Sequence, residues 1–364
     1  MSLKKIAEMT GVSVSTVGRI LNDPARKCSD EEVKRRVLDA ARDIGYIPNA
    51  SARSLRSGSG KSAERIYHIN ILLTRFAHEA ADPFYDELLM LLEKELRTSG
   101  CIVGNVWHCA EFSDDRINPL MPAARGDKLT ALVESLYRDS EHRSDGLVIV
   151  GKVTARALKQ LKTKEKNIVS INRNSTDYEV DEVLCDGSRI AQTAVGYLAK
   201  LGHTRIGYVG DCHSESRFMG YQKALTENRL SPDIDNIYDT LPNEANGILA
   251  YEYFSAMSDP PTGIYCANDI LAVGMIKAMG RRRGRGYLPS VISSDDIDAA
   301  QYTKPMLTSV SIPKNEMVRF ALMLLLDRVR GGHKTVSRLE VEGTLVIRES
   351  CRPFKELNEP EYYI

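Results

Sequence analysis

Apolar residues recur along this chain with two different periods. Near the N-terminus they return every three or four positions in short segments, whereas beyond residue 62 short apolar runs alternate with amphipathic stretches. The first pattern is typical of short helices, and the second of strands that alternate with helices. The chain is therefore predicted to consist of a small helical unit followed by an α/β body.

The first two helices are marked by a glycine and a capping serine. Leu3–Met9 is predicted as a helix that ends at Gly11, and Ser13 is predicted to cap a second helix that runs to about Asn22. The Ser13 hydroxyl can accept a hydrogen bond from a free backbone N–H of the first turn. The residues predicted to face inward from these two helices are Ile6, Val17, Ile20 and Leu21.

A third helix has a sharp start and a sharp stop. Ser29 and Glu32 form a capping box, apolar residues then recur at helical spacing, and Gly45 ends the helix. The recurring apolar positions are Val33, Val37, Ala40 and Ile44. Two short helices joined by a glycine-containing turn and closed by a third helix predict a helix-turn-helix unit.

The second helix of such a unit reads DNA with its N-terminal residues. Here Val14, Ser15 and Thr16 occupy those positions, and Arg19 follows one turn later. Val14 is predicted to contact a thymine methyl group, with an ordinary exposed apolar residue as the alternative. Arg19 can bind a guanine or a phosphate, with a solvated surface cation as the alternative.

The body alternates apolar strands with amphipathic helices, which predicts parallel sheets flanked by helices. The predicted strands are Ile69–Leu73, Ile102–Val106, Gly146–Val150, Ile168–Ile171, Ile206–Val209, Gly263–Cys266 and Val291–Ser293. The predicted helices lie near 84–98, 127–138, 187–200, 216–228, 245–257, 269–280 and 314–330. The length fits two such sheets, and a ligand of such folds binds at the carboxyl ends of the strands.

The N-terminal helical unit, which we call the head, differs from the body in net charge. The 364 residues carry 49 basic and 49 acidic side chains, but residues 1–61 hold 12 Lys and Arg against 7 Asp and Glu. A net charge of +5 on the head and −5 on the remainder indicates that the head binds a polyanion. The alternative is an ordinary solvated surface.

The chain lacks the sequence signals that are typical of several other classes of protein. The chain has no long apolar run and no export signal, so a cytoplasmic protein is expected. The seven cysteines include no Cys-x-x-Cys pair, which predicts reduced thiols and no zinc. The dinucleotide, nucleophile-elbow and zinc-protease motifs are absent, and Leu55 occupies the first glycine position of the phosphate-loop-like stretch that ends at Ser62. We therefore expect neither an enzyme nor a bound cofactor.

Three N-terminal stretches together resemble the LacI family of bacterial repressors. They are Leu3–Ala7, the segment Gly11–Asn22, and the sequence Tyr-Ile-Pro-Asn-Ala-Ser-Ala-Arg-Ser-Leu-Arg-Ser-Gly at 46–58. The resemblance extends along the whole chain, and these stretches are its most specific part. Gly18 stands where the family usually has serine, and the loop at 23–28 is longer than in many members, as in the branch of galactose and β-galactoside repressors.

The resemblance implies that the third stretch is a hinge that folds to a helix on operator DNA. Asn49 can cap this helix, and Ala52 is small enough to approach a symmetry mate. The family inserts the leucine at the position of Leu55 into the minor groove; the alternative is a linker residue that packs on the body. The predicted DNA-binding residues are Val14, Ser15, Thr16, Arg19, Asn22, Asn49, Ala52, Arg53 and Leu55.

The resemblance also implies an architecture of two doubly wound α/β subdomains of the periplasmic-binding-protein type. We expect a head at 1–48, a hinge and linker at 49–61, and an effector-binding and dimerisation domain at 62–364. The chain is expected to cross between the subdomains near residues 172, 300 and 330. The N-subdomain would then comprise about 62–171 and 301–328, and the C-subdomain about 172–300 and 329–364.

Candidate effector contacts lie at strand ends and in the turns that follow. They are Asp82, Phe84, Asn172, Arg173, Arg217, Asn268 and Asp295, of which the last three match family residues that contact the ligand. Sugar hydroxyls both donate and accept, so forked donors, carboxylates and amides suit them. The alternative for Arg217 and Asp295 is a purely structural ion pair.

The resemblance implies a homodimeric repressor of sugar-utilisation genes that binds near-palindromic double-stranded DNA. A small sugar, galactose or a galactoside, is expected to release it. The alternative within the family is a nucleobase or another co-repressor. An uptake binding protein would need an export signal and no basic head, and an α/β enzyme would need a nucleophile or a phosphate loop.

Several features stay open at this stage. Glu111–Arg125 is a charged segment predicted to be a surface loop, and Arg281–Arg285 is interpreted as a solvated turn rather than a second DNA contact. Trp107 is assigned either to the core or to the cleft. His203 is predicted to be structural.

Overall fold

The computed structural model describes residues 3–22, 31–43, 65–74, 82–113, 125–141, 143–213, 215–281 and 286–354. It divides into two compact units, Met1–Ile66 and Tyr67–Ile364. The first unit contains the predicted helix-turn-helix, and the second contains two sheets. No described helix has the length and apolar character needed to cross a bilayer.

The three head helices form as predicted: α1 (Leu3–Thr10), α2 (Val14–Asn22) and α3 (Glu31–Asp43). Gly11 has a φ of +68°, the left-handed conformation that glycine adopts without strain. The Thr16 amide donates to the Ser13 hydroxyl at 3.2 Å, so Ser13 caps α2. The buried core of this unit comprises Ile6, Ala7, Val17, Ile20, Val37, Ala40 and Ala41.

The first sheet of the body has six strands in the order β11-β5-β4-β3-β1-β2. The pairs within it are parallel. Its strands are β1 (His68–Leu73), β2 (Ile102–His108), β3 (Gly146–Val150), β4 (Ile168–Asn172), β5 (Asp181–Leu184) and β11 (Arg338–Glu340). Its helices are α4 (Pro83–Thr98), α5 (Arg125–Asp139), α6 (Ala155–Leu161) and α11 (Lys314–Val329). α4 and α11 cover one face, and α5 and α6 cover the other.

The second sheet has the order β12-β10-β9-β8-β6-β7. Its strands are β6 (Ile206–Gly210), β7 (Ile237–Asp239), β8 (Gly263–Cys266), β9 (Ser290–Asp295), β10 (Thr308–Ser311) and β12 (Thr344–Val346). Its helices are α7 (Gly187–Lys200), α8 (Ser216–Glu227), α9 (Glu244–Ser255) and α10 (Asp269–Arg281). Among the described strands of this sheet, only the edge strand β12 pairs antiparallel. We call the parts built on the two sheets the first and second lobes.

The chain passes between the lobes three times, after β5, after β10 and after β11. These crossings lie later in the sequence than the expected positions near 172, 300 and 330. The difference arises because three strands were not predicted: β5 and β11 belong to the first sheet, and β10 belongs to the second. β5 begins with Asp181 and Glu182, and two adjacent acidic residues gave no signal of a buried strand.

Every strand and body helix named from the sequence is present, with bounds within a few residues of the prediction. The unpredicted elements are short: β5, β7, β10, β11, β12 and α6. The five strands among them have three or four residues each, which is too few to show a period, and β7, β11 and β12 lie at sheet edges. These short strands therefore form because they pair with strands that lie far away in the sequence.

Candidate functional site

A buried polar cluster lies where the carboxyl ends of strands from the two lobes meet. Arg173 follows β4 of the first lobe, and Asp295 ends β9 of the second lobe. Arg217 lies in the first turn of α8, which follows β6. These three side chains are at most 5% exposed. The position agrees with the expected ligand site of parallel α/β folds.

Arg173 bridges the two lobes. Its Nη1 donates to Asp295 Oδ1, and its Nη2 donates to the hydroxyl of Tyr85 at 3.2 Å. The guanidinium also lies over the ring of Phe84, with the central carbon 4.6 Å from the ring centroid. A cation over an aromatic face is a favourable contact when it is desolvated. Phe84 therefore packs directly on this ion pair.

Arg217 occupies the second-lobe side of the same cluster. Its Nη1 donates to the carbonyl of Ala267, directly after β8, and lies 3.9 Å from Asp295 Oδ1. Its Nη2 donates to Glu215 at 2.9 Å. Its Nε is buried and has no hydrogen-bond partner within the part of the chain that the structure describes. Such an unpaired buried donor costs stability unless a ligand satisfies it.

Asp295 lies between the two arginines in an unusual backbone conformation. Its φ is +115°, and the φ of Asp296 is +50°. Burial raises the pKa of Asp295, while Arg173 and Arg217 oppose that shift by favouring the carboxylate. Strained backbone of this kind is concentrated at ligand sites. Of the two ion pairs, that with Arg173 is the closer one.

Two further residues join the cluster although they were not among the predicted effector contacts. Tyr85 binds Arg173 through its hydroxyl. Lys314, the first residue of α11, is 7% exposed; its Nζ contacts Glu87 at 2.7 Å and the carbonyl of Asp295 at 3.4 Å. The dipeptide Phe84–Tyr85 was visible after the first strand. Lys314 gave no signal, because a lone lysine at a helix start resembles a surface residue.

The remaining candidate residues mainly hold local structure. Asp82 caps α4, and its Oδ1 accepts from the Phe84 amide at 3.2 Å. The Asn172 side chain accepts from the Arg173 amide at 2.7 Å. Asn268 accepts from the Leu271 amide at 3.2 Å in the first turn of α10. These three residues position the backbone around the cluster.

The cluster is suited to a small, hydroxyl-rich ligand. It combines two forked donors, a carboxylate acceptor, a phenol hydroxyl and an aromatic ring within one buried region. Carboxylates accept and guanidinium groups donate, so together they can satisfy groups that do both. In the structure these groups pair with one another. The described residues contain no group of three or more His, Cys, Asp or Glu placed to hold a metal.

The second candidate site is the exposed start of α2. Val14 is 40% exposed, and Ser15 is exposed. The Thr16 hydroxyl lies 2.8 Å from that of Ser13, so it is partly committed to the capping turn. Arg19 and Asn22 lie in the same helix. The predicted hinge residues Asn49, Ala52, Arg53 and Leu55 lie outside the described residues.

The structure shows the surroundings of several residues whose roles the sequence left open. His203 is 1% exposed and contacts Thr262 and the carbonyl of Arg352, each at 3.0 Å, which confirms a structural role. Trp107 packs on the core beneath α5 and α6. The six described cysteines are free, as expected. Most of the Glu111–Arg125 and Arg281–Arg285 segments lie outside the described residues.

Both parts of the chain match known families. Residues 2–49 match the family model of bacterial regulatory proteins, lacI family, and residues 195–351 match a periplasmic binding protein-like domain. The second match includes Arg217, Asn268 and Asp295.

Full-length relatives carry the names of repressors. The HTH-type transcriptional repressor PurR of Mannheimia succiniciproducens is 28% identical over 363 residues, which cover 96% of this chain and 98% of that protein. The ribose operon repressor of Haemophilus influenzae is 26% identical and covers 97% and 99%. The solved structure of the Lac repressor bound to ONPG superposes with a TM-score of 0.71 at 19% identity, covering 96% and 99%. This last likeness establishes a shared fold.

Proposed function

The chain belongs to the LacI family of bacterial regulatory proteins, and we propose that it is a transcriptional repressor that a small sugar releases from operator DNA. The observation that carries the effector part is the buried Arg173–Asp295 pair, which joins the two lobes at the carboxyl ends of their strands. The proposal makes the protein a regulator in the cytoplasm rather than an enzyme, with no cofactor of its own.

The head supplies the DNA-binding surface. Val14 and Ser15 are exposed at the N-terminus of α2, where a recognition helix contacts base edges. An exposed valine on a small, otherwise well-packed head suits a thymine methyl group. One head reads only a few base pairs, so we propose a homodimer on a near-palindromic operator. The solved Lac repressor dimer bound to operator, with a TM-score of 0.71, offers a precedent.

Ligand binding is proposed to act through the polar cluster between the lobes. A hydroxyl-rich ligand that donates to Asp295 and accepts from Arg217 would satisfy the buried Nε of Arg217. Such a ligand favours one relative arrangement of the lobes over another. If that arrangement separates the paired hinges, the hinge helices melt and DNA affinity falls, because an isolated helix of this length is unstable in water. The coupling needed is about 1–3 kcal/mol.

The effector is proposed to be galactose or a galactoside, with a nucleobase as the second candidate. The buried carboxylate, the two guanidinium groups and the ring of Phe84 suit a sugar. Two structural neighbours are named as a cellobiose complex and a ribose complex. Relatives named PurR and CytR are the observation that favours the second candidate.

Thermal unfolding against a panel of ligands tests this proposal. The panel contains D-galactose, a β-galactoside, ribose, cellobiose, adenine and guanine, each with the full-length protein. A ligand present at 100 times its dissociation constant adds about 2.7 kcal/mol of stability. We expect a rise in Tm with galactose or the galactoside. Arg217→Ala should abolish it, whereas Arg229→Ala, a surface residue of the same lobe, should preserve it.

Other outcomes of the panel discriminate between the candidates. A rise in Tm with a purine alone would replace the sugar by a nucleobase. A rise that Arg217→Ala leaves intact would move the ligand away from the polar cluster.

A further inference from the structure

Asp269 is a fully buried carboxylate beside the effector cluster and directly follows the candidate residue Asn268. It is the first residue of α10, and it accepts hydrogen bonds from three donors of other elements. Ser293 of β9 and Ser309 of β10 donate to its Oδ1 at 2.5 and 2.7 Å. The amide of Ile297 donates to its Oδ2 at 2.8 Å.

Two of these bonds, those from Ile297 and Ser309, hold the backbone that follows Asp295. Ser293 precedes Asp295 by two positions, and Ile297 follows it by two. The Ser309 hydroxyl, which donates to Asp269, also accepts from the Asp296 amide at 3.2 Å. Asp269 therefore fixes the backbone amides of both residues that follow Asp295. It accepts directly from the Ile297 amide, and it reaches the Asp296 amide through the Ser309 hydroxyl.

The segment fixed in this way has an unfavourable backbone. Asp295 and Asp296 both have positive φ, at +115° and +50°. L-residues rarely adopt such values, and they persist only where surrounding contacts enforce them. The turn aims the Asp295 carboxylate at Arg173 in the opposite lobe. Relaxation of the turn would withdraw this carboxylate from the cluster.

We propose that Asp269 is a positioning residue for effector binding: its carboxylate enforces the turn at Asp295 and Asp296 and thereby holds Asp295 against Arg173. This inference rests on the proposed function, because Asp295 is assigned there to the ligand. Asparagine cannot replace Asp269. With its amide nitrogen at the Oδ2 position, a donor faces the Ile297 N–H; with the amide reversed, the serine hydroxyls lose their acceptor.

A double-mutant cycle on the ligand-free, full-length protein tests the positioning role. The variants are Asp269→Asn, Asp295→Asn and the double variant, and the readout is the Tm of the body. In the native background Asp295→Asn leaves Arg173 buried without its carboxylate, so Tm falls. In the Asp269→Asn background the carboxylate has already withdrawn, so we expect Asp295→Asn to lower Tm by less than half as much.

Two serine variants provide a matched pair and a substitute if Asp269→Asn fails to fold. Ser309→Ala removes the relay to the Asp296 amide, whereas Ser293→Ala removes a bond to the same Asp269 oxygen without touching the turn. Both serines are fully buried. We expect Ser309→Ala to reduce the Tm cost of Asp295→Asn and to speed amide hydrogen exchange at Asp296. Ser293→Ala should do neither.

Equal Tm losses from Asp295→Asn in all backgrounds would reduce Asp269 to a purely structural residue and overturn the proposal. A titration with D-galactose, read by calorimetry, separates this failure from that of the proposed function. If native protein does not bind D-galactose, the sugar assignment fails while the ligand-free cycle still decides the role of Asp269. If native protein binds it, Asp269→Asn should weaken binding at least tenfold.

Discussion

At the scale of single residues, the proposed effector site is built on opposite charges that are buried between the lobes. Arg173 and Asp295 are 5% and 3% exposed as side chains and pair across the cleft. Removing both charges from water is costly, and their attraction offsets that cost only while both are present. A ligand that separates them must supply equivalent partners. We propose that this requirement is the physical basis of selectivity for a hydroxyl-rich ligand.

Arg173→Met should strongly destabilise the body. The substitution leaves Asp295 buried with only Arg217 at 3.9 Å, and breaking a buried pair costs about 3–5 kcal/mol. Urea unfolding measures the loss. The control is Arg97→Met, which removes an exposed pair with Glu93 on α4 and should cost below about 1 kcal/mol. Similar losses for both variants would contradict the buried pairing.

The pH dependence of stability should carry a contribution from Asp269. Burial, reinforced by the nearby charge of Asp295, raises the pKa of Asp269 to about 7, against about 3.9 in an unfolded chain. A carboxyl group with a raised pKa binds its proton more tightly in the folded state. Its contribution is therefore complete below pH 4 and is lost as pH rises to about 7.

Asp269→Asn removes this titration, so urea unfolding between pH 4 and 8 should show a flatter profile for the variant than for the native protein. Glu165 of the first lobe, whose pKa is also raised by burial, is the same in both proteins, so its contribution cancels in the comparison. Parallel profiles would mean that Asp269 does not titrate in this range.

At the scale of elements, one buried carboxylate attaches β11 to the first sheet. Asp181 in β5 accepts two hydrogen bonds from Arg328 of α11, at 2.5 and 2.6 Å, and one from the Ser337 amide at 2.8 Å. Burial would raise the pKa of Asp181, but these bonds outweigh burial and lower it. His333 contacts both Asp181 and Asp327, at 2.8 and 2.6 Å. These contacts around Asp181, which we call the clasp, hold the segment that precedes the third crossing.

His333 should make the clasp sensitive to alkaline pH. Hydrogen bonds to Asp327 and then to Asp181 raise the pKa of His333 above its ordinary value of about 6.5. A histidine with a raised pKa stabilises the fold while it is charged, and that stabilisation is lost as pH rises through the folded-state pKa. We expect the native protein to lose more Tm between pH 6 and 9 than His333→Gln, measured by differential scanning fluorimetry. Equal losses would exclude the charged clasp.

At the scale of the whole molecule, a repressor needs two units with separate tasks and a coupling between them. The head has its own buried core, and the body has the polar cluster between its lobes. The link proposed between the two tasks is the hinge at 49–61. A change there should alter DNA affinity and leave the body unchanged.

Leu55→Ala isolates this link. The variant should keep the Tm of the body and its ligand-induced shift, because the change lies outside that unit. It should bind operator DNA at least tenfold more weakly, since a minor-groove wedge is lost. Fluorescence anisotropy with a labelled operator, obtained by binding-site selection, measures the affinity. Lys61→Arg, which retains the charge of the linker and is not a predicted DNA contact, serves as the control and should keep the native operator affinity. Unchanged affinity would remove Leu55 from the mechanism.

The sequence by itself determined those features that depend on neighbouring residues. The cap at Ser13, the turn at Gly11 and the apolar strands such as Gly146–Val150 are local signals, because capping, backbone freedom and periodicity act within a few residues. These signals were sufficient for the helix-turn-helix and for the central strands of both sheets. Together with the N-terminal motifs, they also indicated the family.

Only the tertiary structure decided which distant residues pair. It placed Asp295 closer to Arg173 than to Arg217, and it brought Lys314 into the cluster. It also buried Asp181 in a strand that its composition argued against. Burial of a charge depends on a partner far along the chain, and no local pattern records where that partner will lie. Local sequence signals were therefore enough to predict the fold. The arrangement of the site could not be predicted from them, because it depends on contacts between residues far apart in the chain.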